Sequence, residues 1–224
     1  DEGISVAAIN YRYTQNGLED KVEPPVKAPL GDAARALQFI RSKAAEWNLD
    51  KRLQGRMDLP LSEVGRRQTE NWRLPCEFQE FNWVSSPLIR ATETAGLLGG
   101  EPAIEPCLIE MSWGKWEGRT LDELRKELGE VVMINEDRGL DFRPDGGESP
   151  REVQARLEPW LEELLDPTIA VCHKGVLHAL YALALGWDMK GNPADILQDA
   201  CAHLFYVAMG SPRIERLNIP LVTE

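Results

Sequence analysis

The sequence is poor in histidine and has no cysteine spacing typical of a metal site. Only three histidines occur in 224 residues, and the first of them is His173. The four cysteines stand far apart, without a CxxC pair, at positions 76, 107, 172 and 201. These spacings exclude a typical zinc site, and we expect neither a metal nor an organic cofactor. Scattered thiols favour reduced cysteines in a cytoplasmic protein, with a secreted disulfide framework as the less favoured alternative.

Long hydrophobic runs and an excess of positive charge are also missing. No apolar run approaches the roughly 20 residues that a membrane-spanning helix needs. The first residues, Asp1-Glu2-Gly3, lack the basic and apolar regions of a signal peptide. With 25 basic and 37 acidic side chains, the net charge is −12, which argues against nucleic acid or a membrane as the main partner. Because the chain starts without methionine, we expect a processed product, an excised piece or a fragment of a longer reading frame.

The residues that are present predict an α/β fold. An apolar fraction of 43% is enough to fill a core, and the length suits one domain or one domain with an appendage. A capping box at Ser149-Pro150-Arg151-Glu152 predicts the start of a helix. Strands are predicted at 4–13, 81–85, 168–172, 204–209 and 213–217, and further helices at 32–47, 62–72, 87–98, 121–128 and 176–185. Residues 101–118 are expected to be irregular, and the alternation favours a sheet with helices on both faces.

Polar side chains follow the predicted strands at three places. Arg90 lies in the first turn of a helix just after a strand, Glu110 lies in the irregular segment, and His173 follows a buried strand. Because pockets of α/β folds form where strands end and helices begin, these three side chains are candidates for one site.

At these places the sequence resembles the histidine phosphatase superfamily, also called the phosphoglycerate mutase-like family. The resemblance runs from about Trp47 to the C-terminus. The matching motifs, in order, are Trp47-Asn48, Arg52-Leu-Gln-Gly-Arg56, Ser85-Ser-Pro-Leu-x-Arg-Ala-x-x-Thr-Ala95, Glu110-x-x-x-Gly-x-x-Glu-Gly118, Gly146-Gly-Glu-Ser149 and His173-x-Gly175. Each motif alone is weak, but together they are specific because they occur in the family's order and spacing.

The resemblance implies a three-layer α/β/α sandwich and a phosphomonoester hydrolase that acts through a phosphohistidine. Among catalytic residues, it implies that Arg90 holds the phosphate, Glu110 is the general acid and His173 is the second pocket histidine. The implied substrate contacts come from Asn48 and from the loop positions Gln54 and Gly55. The implied partner is a small phosphorylated substrate, with no metal. The matching region is short for a mutase, which favours a phosphatase.

The family's Arg-His-Gly motif is missing from the place where the resemblance requires it. Aligned without a gap from Trp47-Asn48, the motif falls on Arg41-Ser42-Lys43. Ser42 then stands at the nucleophile position and Arg41 at the arginine. A serine hydroxyl needs a neighbouring base to act as a nucleophile, so Ser42 is not a simple replacement. Two interpretations stay open: a phosphatase without its usual nucleophile, and a catalytically inactive remnant that binds phosphate.

The first 50 residues instead resemble an α/β-hydrolase esterase fragment. That resemblance lies in Val6-Ala-Ala-Ile-Asn-Tyr-Arg-Tyr13 and in the alanine-rich run from Asp32 onward. An esterase activity is a remote alternative because no Gly-x-Ser-x-Gly motif occurs in the chain. The sequence therefore indicates a chimera, with a foreign strand, loop and helix at 1–46 and a phosphatase-like domain without its first strand at 47–224.

Two alternative structures are possible at the junction between the two parts. Either residues 37–40 are drawn into the sheet as its first strand, or the strand beginning at Ile4 fills that place. We expect the helix at 32–47 to form and the N-terminal strand to lie in or beside the sheet. We also expect His178, His203 and Glu117 to be structural, Asp122, Glu123, Glu127 and Glu130 to form a solvated helix face, and Trp113 and Trp116 to serve the core or line the pocket.

Overall fold

The fold is an α/β sandwich, seen in a computed structural model that describes residues 4–10 and 52–221, the first range as backbone. Its strands are β1 (Ile4–Asn10), β2 (Asn82–Ser85), β3 (Ala103–Ile104), β4 (Thr168–Cys172), β5 (Cys201–Ala208) and β6 (Ser211–Pro220). Its α-helices are α1 (Glu63–Glu70), α2 (Ile89–Leu97), α3 (Leu121–Leu128), α4 (Glu130–Glu136), α5 (Pro150–Glu163) and α6 (Lys174–Leu185).

The described strands form one mixed sheet in the order β3-β2-β4-β1-β5-β6. β3, β2, β4 and β1 run parallel to one another, whereas β5 pairs antiparallel with both β1 and β6. β1 therefore lies inside the sheet with a partner on each side. This position agrees with the expectation that the N-terminal strand joins the sheet, and the predicted continuation to Tyr13 lies outside the described residues.

Both faces of the sheet are covered by helices. β4 shows this best, since all five of its residues are buried and its side chains alternate between two cores. Ala170 and Cys172 belong to the larger core, which also contains residues of α5 and α6. Ile169 and Val171 belong to the second core, together with residues of α2. A strand buried on both faces explains the uninterrupted apolar run in the sequence.

Local signals place most of the helix starts. The hydroxyl of Ser149 accepts the backbone N–H of Glu152 at 3.2 Å, and the Glu152 carboxylate accepts the N–H of Ser149 at 2.8 Å. The predicted capping box at the start of α5 is thereby confirmed. Ser62 caps α1 in the same way, by accepting the N–H of Gly65 at 3.1 Å. The two hairpin strands are longer than predicted and begin earlier.

Two elements depart from the sequence interpretation. α4 was not predicted, because Gly129 (φ 54°) separates it from α3 and its apolar side chains Val131, Met133 and Ile134 are exposed. The stretch 101–118, expected to be irregular, contains the two-residue strand β3 and two short 3₁₀ turns. The prediction of a helix at 32–47 is a separate matter, because those positions lie outside the described residues. Asp122, Glu123 and Glu127 are exposed on α3 as expected, whereas Glu130, also exposed, begins α4 beyond Gly129.

Two further observations concern the membrane and the cysteines. Within residues 4–10 and 52–221, no helix has the length and apolar character needed to cross a membrane. All four cysteines fall in the described part of the chain, and each is a free thiol.

Candidate active site

A serine and a histidine meet at the ends of two neighbouring strands. β2 and β4 are parallel and in register, with Ser85 opposite Val171. Ser86 continues the pairing by donating its N–H to the Val171 carbonyl at 2.9 Å. His173 follows β4 directly and is the N-cap of α6. Its Nε2 lies 2.5 Å from the Ser86 hydroxyl oxygen, and both residues are buried.

The imidazole of His173 is held in its neutral form. Burial lowers its pKa well below the ordinary value, because the charged form loses its hydration. The positive charges of Arg90 and Arg156 lower this pKa further. A neutral imidazole has one N–H donor and one acceptor nitrogen. The contact with Ser86 occupies Nε2 and so fixes the orientation of the ring.

Arg90 anchors the loop that contains Gly55. Its guanidinium donates to the carbonyl of Met57 at 2.6 Å and to that of Gly55 at 2.7 Å. The residue is 4% exposed, and α2 places it in its first turn. Its charge also acts on the carboxyl of Glu110 and on the imidazole of His173. These three predicted catalytic residues are therefore brought together in one region of the fold.

The carboxyl group of Glu110 has an environment that favours its protonated form. Burial is the largest influence and raises its pKa above the ordinary value for glutamate. One carboxylate oxygen accepts the N–H of Met111 at 2.8 Å, and the other meets the N–H of Gly175 at 3.4 Å. These contacts and the charge of Arg90 oppose the effect of burial. A carboxyl with a raised pKa close to a cation is suited to donate a proton near neutral pH.

Of the remaining predicted site residues, some lie within the described part of the chain and some outside it. Gly55 is buried, and Gln54 beside it is half-buried. Gly55 has φ +50°, and a Cβ there would lie 2.3 Å from a carboxylate oxygen of Glu117, so the close approach requires glycine. The predictions for Asn48, Arg41 and Ser42 lie outside the described residues.

Glu117 and the two tryptophans have structural surroundings. The Glu117 carboxylate accepts the N–H groups of Arg56 at 3.0 Å and Trp113 at 3.1 Å, and so joins two loops. Trp113 and Trp116 stack with their ring centroids 6.4 Å apart, and both meet Phe142 edge-on. Trp116 belongs to the larger core, and Trp113 packs against it.

The other two histidines lie away from the junction of β2 and β4. His203 is fully buried in β5, where its Nδ1 accepts the N–H of Asn218 at 3.3 Å. Burial lowers its pKa to about 4. His178 is half-buried within α6.

The sequence interpretation missed four residues of this region. Ser86 was part of a motif but had no assigned role, although its place at a strand end was a usable signal. Arg56, Glu148 and Arg156 form a charged group behind Glu110. Arg156 lies in the middle of α5, and nothing local in the sequence marks it, because its partners come from distant segments.

The described residues also bear on metal binding. Among them, no group of three or more histidine, cysteine, aspartate or glutamate side chains is placed to hold a metal ion. The polar groups at the junction are instead an arginine, a neutral imidazole, a hydroxyl and a half-buried carboxyl whose pKa is raised. This combination suits an anion such as a phosphoryl group, whose charge the arginine can neutralise.

Comparison with known proteins also points to proteins that handle phosphoryl groups. A model of the histidine phosphatase superfamily, branch 1, matches residues 37–220. The chain is 32% identical over 176 residues to a glucosyl-3-phosphoglycerate phosphatase of Mycolicibacterium vanbaalenii, covering 71% of this chain and 78% of the relative. It is 30% identical over 201 residues to a 2,3-bisphosphoglycerate-dependent phosphoglycerate mutase of Nitrobacter hamburgensis, covering 82% and 92%.

Among solved structures, a mycobacterial glucosyl-3-phosphoglycerate phosphatase in complex with inorganic phosphate superposes with a TM-score of 0.62. It is 25% identical in sequence, and the match covers 77% of this chain and 94% of the other. The family match begins ten residues before Trp47, where the motif resemblance begins, and so includes Arg41 and Ser42. From the matched motifs, the fold and these relatives, the chain belongs to the histidine phosphatase superfamily.

Proposed function

We propose that the chain is a phosphomonoester hydrolase that acts on a small phosphorylated substrate without a metal or an organic cofactor. The observation that carries this proposal is the meeting of buried Arg90, neutral His173 and the raised-pKa carboxyl of Glu110 at one edge of the sheet. The relatives named as phosphatases or mutases of phosphorylated small molecules support the same substrate class.

Each group has a distinct task in this proposal. Arg90 neutralises charge on the equatorial phosphate oxygens, which is the main protein contribution to phosphoryl transfer. His173 donates a hydrogen bond to the same oxygens, and Glu110 protonates the leaving oxygen. Asn48, Gln54, Gly55 and, through the gap-free alignment, Arg41 face the substrate. The short segment between Glu110 and His173 favours a phosphatase over a mutase.

The nucleophile distinguishes this chain from the family's usual mechanism. A phosphohistidine requires a histidine before the Trp47-Asn48 motif, and this sequence has none before His173. Ser42 stands at the nucleophile position, and its hydroxyl is a weak nucleophile without a base. We therefore expect slow turnover.

The same absence favours a second candidate function, a protein that binds phosphate or phosphorylated ligands without turning them over. Both functions require Arg90 and His173 in the pocket, so binding alone does not separate them. Turnover of a generic aryl phosphate does, because only the hydrolase releases the phenol.

The deciding experiment measures p-nitrophenyl phosphate hydrolysis and, by calorimetry, the binding of inorganic phosphate. Turnover that is abolished by Arg90→Ala and by His173→Ala supports the hydrolase. Phosphate binding without turnover supports the binding protein, and no phosphate binding at all contradicts both. Arg67→Ala is the matched control, because within the described residues Arg67 pairs with Glu63 on an exposed face of α1, and the variant should leave both measurements unchanged.

Restoring the missing motif tests the alignment at 41–43. The double variant Ser42→His with Lys43→Gly creates Arg-His-Gly at this place, where the family match already applies. We expect turnover to rise at least about tenfold, since a histidine is then available as nucleophile. No rise in a folded, phosphate-binding variant would show that this register is wrong.

We also propose that residues 1–46 form a piece foreign to the 47–224 domain and that the protein is cytoplasmic. The family match leaves the first 36 residues uncovered, which supports the first statement. The four free cysteines support the second. The coding DNA across codons 40–50 tests whether this junction is real. A reading frame that encodes a different sequence there would contradict it.

A further inference from the structure

Glu148 bridges two arginines behind the candidate active site. Its Oε1 accepts the Nε–H of Arg156 at 3.0 Å, and its Oε2 accepts from a terminal nitrogen of Arg156 at 3.2 Å. The same Oε2 accepts from Arg56 at 3.1 Å. The side chains of Glu148 and Arg156 are only 15% and 19% exposed. Charge pairs of this kind, partly buried and with two parallel hydrogen bonds, hold their geometry better than surface pairs.

Both arginines also hold the main chain that leads into Glu110. Arg156 donates to the carbonyl of Cys107 and, at 2.6 Å, to that of Ile109. Arg56 donates from Nε to the carbonyl of Glu110 itself at 3.1 Å. Three carbonyl groups within four residues are therefore fixed by two side chains that share one carboxylate.

The orientation of this main chain sets the direction of the Glu110 carboxyl. One oxygen of the carboxyl meets the N–H of Met111, from the neighbouring residue, and the other meets the N–H of Gly175, from α6. A rotation of the peptide groups at 109–110 would move the carboxyl away from the N–H of Gly175, which is already 3.4 Å distant. Only a short 3₁₀ turn, Pro106–Leu108, directly precedes this segment, so the arginine contacts add a constraint at the carbonyls of Ile109 and Glu110.

The charges around Glu110 point to a second effect of Glu148. The groups whose charges act on the Glu110 carboxyl are Arg90 from α2 and Arg156 from α5, and Glu110 in turn raises the pKa of Cys172 in β4. The arginines favour the ionised carboxyl. A negative charge on Glu148 beside Arg156 and Arg56 offsets their field and so preserves the protonated form that a general acid needs.

We propose that Glu148 is a positioning residue for Glu110, acting through Arg56 and Arg156 to aim the carboxyl and to preserve its proton. The inference rests on the proposed function, in which Glu110 is the general acid. Glu148 touches neither the substrate nor the reacting atoms in this scheme, and its effect on phosphate binding is therefore small.

The first test compares two leaving groups in Glu148→Gln. The variant keeps the shape of the side chain and loses its charge. Hydrolysis of glycerol phosphate, whose poor leaving group needs the acid, should fall about tenfold in kcat/KM, and hydrolysis of p-nitrophenyl phosphate should fall less than about threefold. Glu148→Asp, which keeps the charge, should recover part of the loss. Equal losses for both substrates would overturn the proposal, because a general disturbance of the pocket does not select between leaving groups.

The second test does not depend on turnover. In protein labelled with ¹³C-glutamate, the Glu110 carboxyl resonance is assigned by its absence in Glu110→Gln and then titrated. Glu148→Gln should lower the pKa of Glu110 by about 1, because the arginine charges are no longer offset. An unchanged titration in a variant that unfolds at the wild-type temperature contradicts the proposal. If Glu148→Gln does not fold, Arg156→Lys tests the aiming role with the two leaving groups, since lysine keeps the charge but cannot reach both carbonyls together; equal losses for both substrates would again contradict the proposal.

A matched control and one further measurement separate this proposal from the proposed function. Asp145→Asn removes a carboxylate three residues from Glu148, where Asp145 forms an exposed pair with Lys115 at 2.7 Å, and it should change neither readout. Calorimetry with inorganic phosphate is run on the same samples. Wild-type protein that does not bind phosphate contradicts the proposed function. Protein that binds phosphate but whose Glu110 is insensitive to Glu148→Gln contradicts only the positioning role.

Discussion

His173 and Ser86 form a buried pair in which imidazole Nε2 and hydroxyl oxygen lie 2.5 Å apart. The two residues come together because β2 and β4 are adjacent parallel strands that end at the same edge of the sheet. The imidazole is neutral, so one of its nitrogens carries a proton and the other does not. The hydroxyl of Ser86 can donate to this Nε2 or accept from it, and in either case it fixes the orientation of the His173 ring.

Replacing Ser86 by alanine should remove this constraint on the ring. We expect phosphate affinity to fall about tenfold, since the variant removes the buried contact with His173 and the acceptor of the Leu88 N–H at 3.3 Å. Calorimetry with inorganic phosphate measures the change. Ser85→Ala is the control, because Ser85 is equally buried and donates only to the carbonyl of Ser86 at 3.0 Å. An equal loss in both variants would indicate damage to the end of β2 rather than a role for the hydroxyl.

A substitution at Gly175 in α6 tests whether Glu110 needs the present position of its carboxyl. A Cβ at Gly175 would lie 2.5 Å from a Glu110 carboxylate oxygen and 3.1 Å from the Cβ of Met111. Gly175→Ala should push the carboxyl away from α6 and reduce hydrolysis of an alkyl phosphate about tenfold. The expected drop is measured as kcat/KM on glycerol phosphate.

Gly96→Ala is the control for this substitution. Gly96 lies in α2, and a Cβ there would meet no atom within 4 Å. Because alanine has the higher helix propensity, this variant should be more stable by up to about 1 kcal/mol, with unchanged hydrolysis. A Gly175→Ala enzyme as active as wild type would mean that Glu110 does not need its present position.

The sequence predicted those parts of the fold that have a local cause. The capping box at Ser149 and the apolar run of β4 are visible within a few residues of chain, and both were placed correctly. α4 has no such signal, because its exposed Val131, Met133 and Ile134 follow no amphipathic pattern. The strand order is also not local, since β1 lies between β4 and β5, which come more than 150 residues later.

The residues of the candidate site also fall into those with a local sequence signal and those whose contacts come from distant segments. Arg90 and His173 were identified because each belongs to a motif next to a strand end, and Glu110 because it belongs to a motif in the segment predicted to be irregular. The contacts of Arg156 could not be predicted, because it reaches the carbonyls of Cys107 and Ile109 across nearly 50 positions of sequence. Glu148 belongs to a motif, but its role depends on two arginines that only the folded chain brings together.

Stability should fall on mild acidification, in part because of His203. Its pKa is about 4 in the folded protein and about 6.5 in an unfolded chain. Above pH 6.5 both states are neutral and the residue has no effect on pH dependence. Between pH 6.5 and 4 the unfolded state binds a proton that the folded state does not, so the free energy of unfolding decreases. His173, whose pKa is also lowered, acts in the same direction.

His203→Asn should remove the share of this pH dependence that belongs to His203. The amide oxygen of asparagine replaces Nδ1 as acceptor for the N–H of Asn218. Between pH 7 and pH 5, we expect the variant to lose about 2 kcal/mol less unfolding free energy than wild type. Urea denaturation at the two pH values measures both losses, and each protein is its own reference at pH 7. Identical losses would mean that His203 is protonated equally in the folded and unfolded states.

β1 provides the sharpest test of how the N-terminal residues relate to the phosphatase domain. This strand lies outside the family match, which begins at residue 37, yet it pairs with β4 and β5. Ala7, opposite Ile169 and Leu204, is in the middle of it. Proline cannot donate to a ladder and is confined to edge strands, as Pro212 is in β6.

Ala7→Pro should therefore lower the free energy of unfolding by about 2 to 4 kcal/mol, measured by urea denaturation. Ala103→Pro in the edge strand β3, which pairs only with β2 in the described sheet, is the control and should cost less. If Ala7→Pro leaves stability unchanged, β1 does not contribute to the folded sheet in solution. Residues 37–40, which the gap-free alignment sets on the family's first strand, then become the segment to test by the same substitution. A large loss instead means that a strand from outside the matched region stabilises the sheet from its interior.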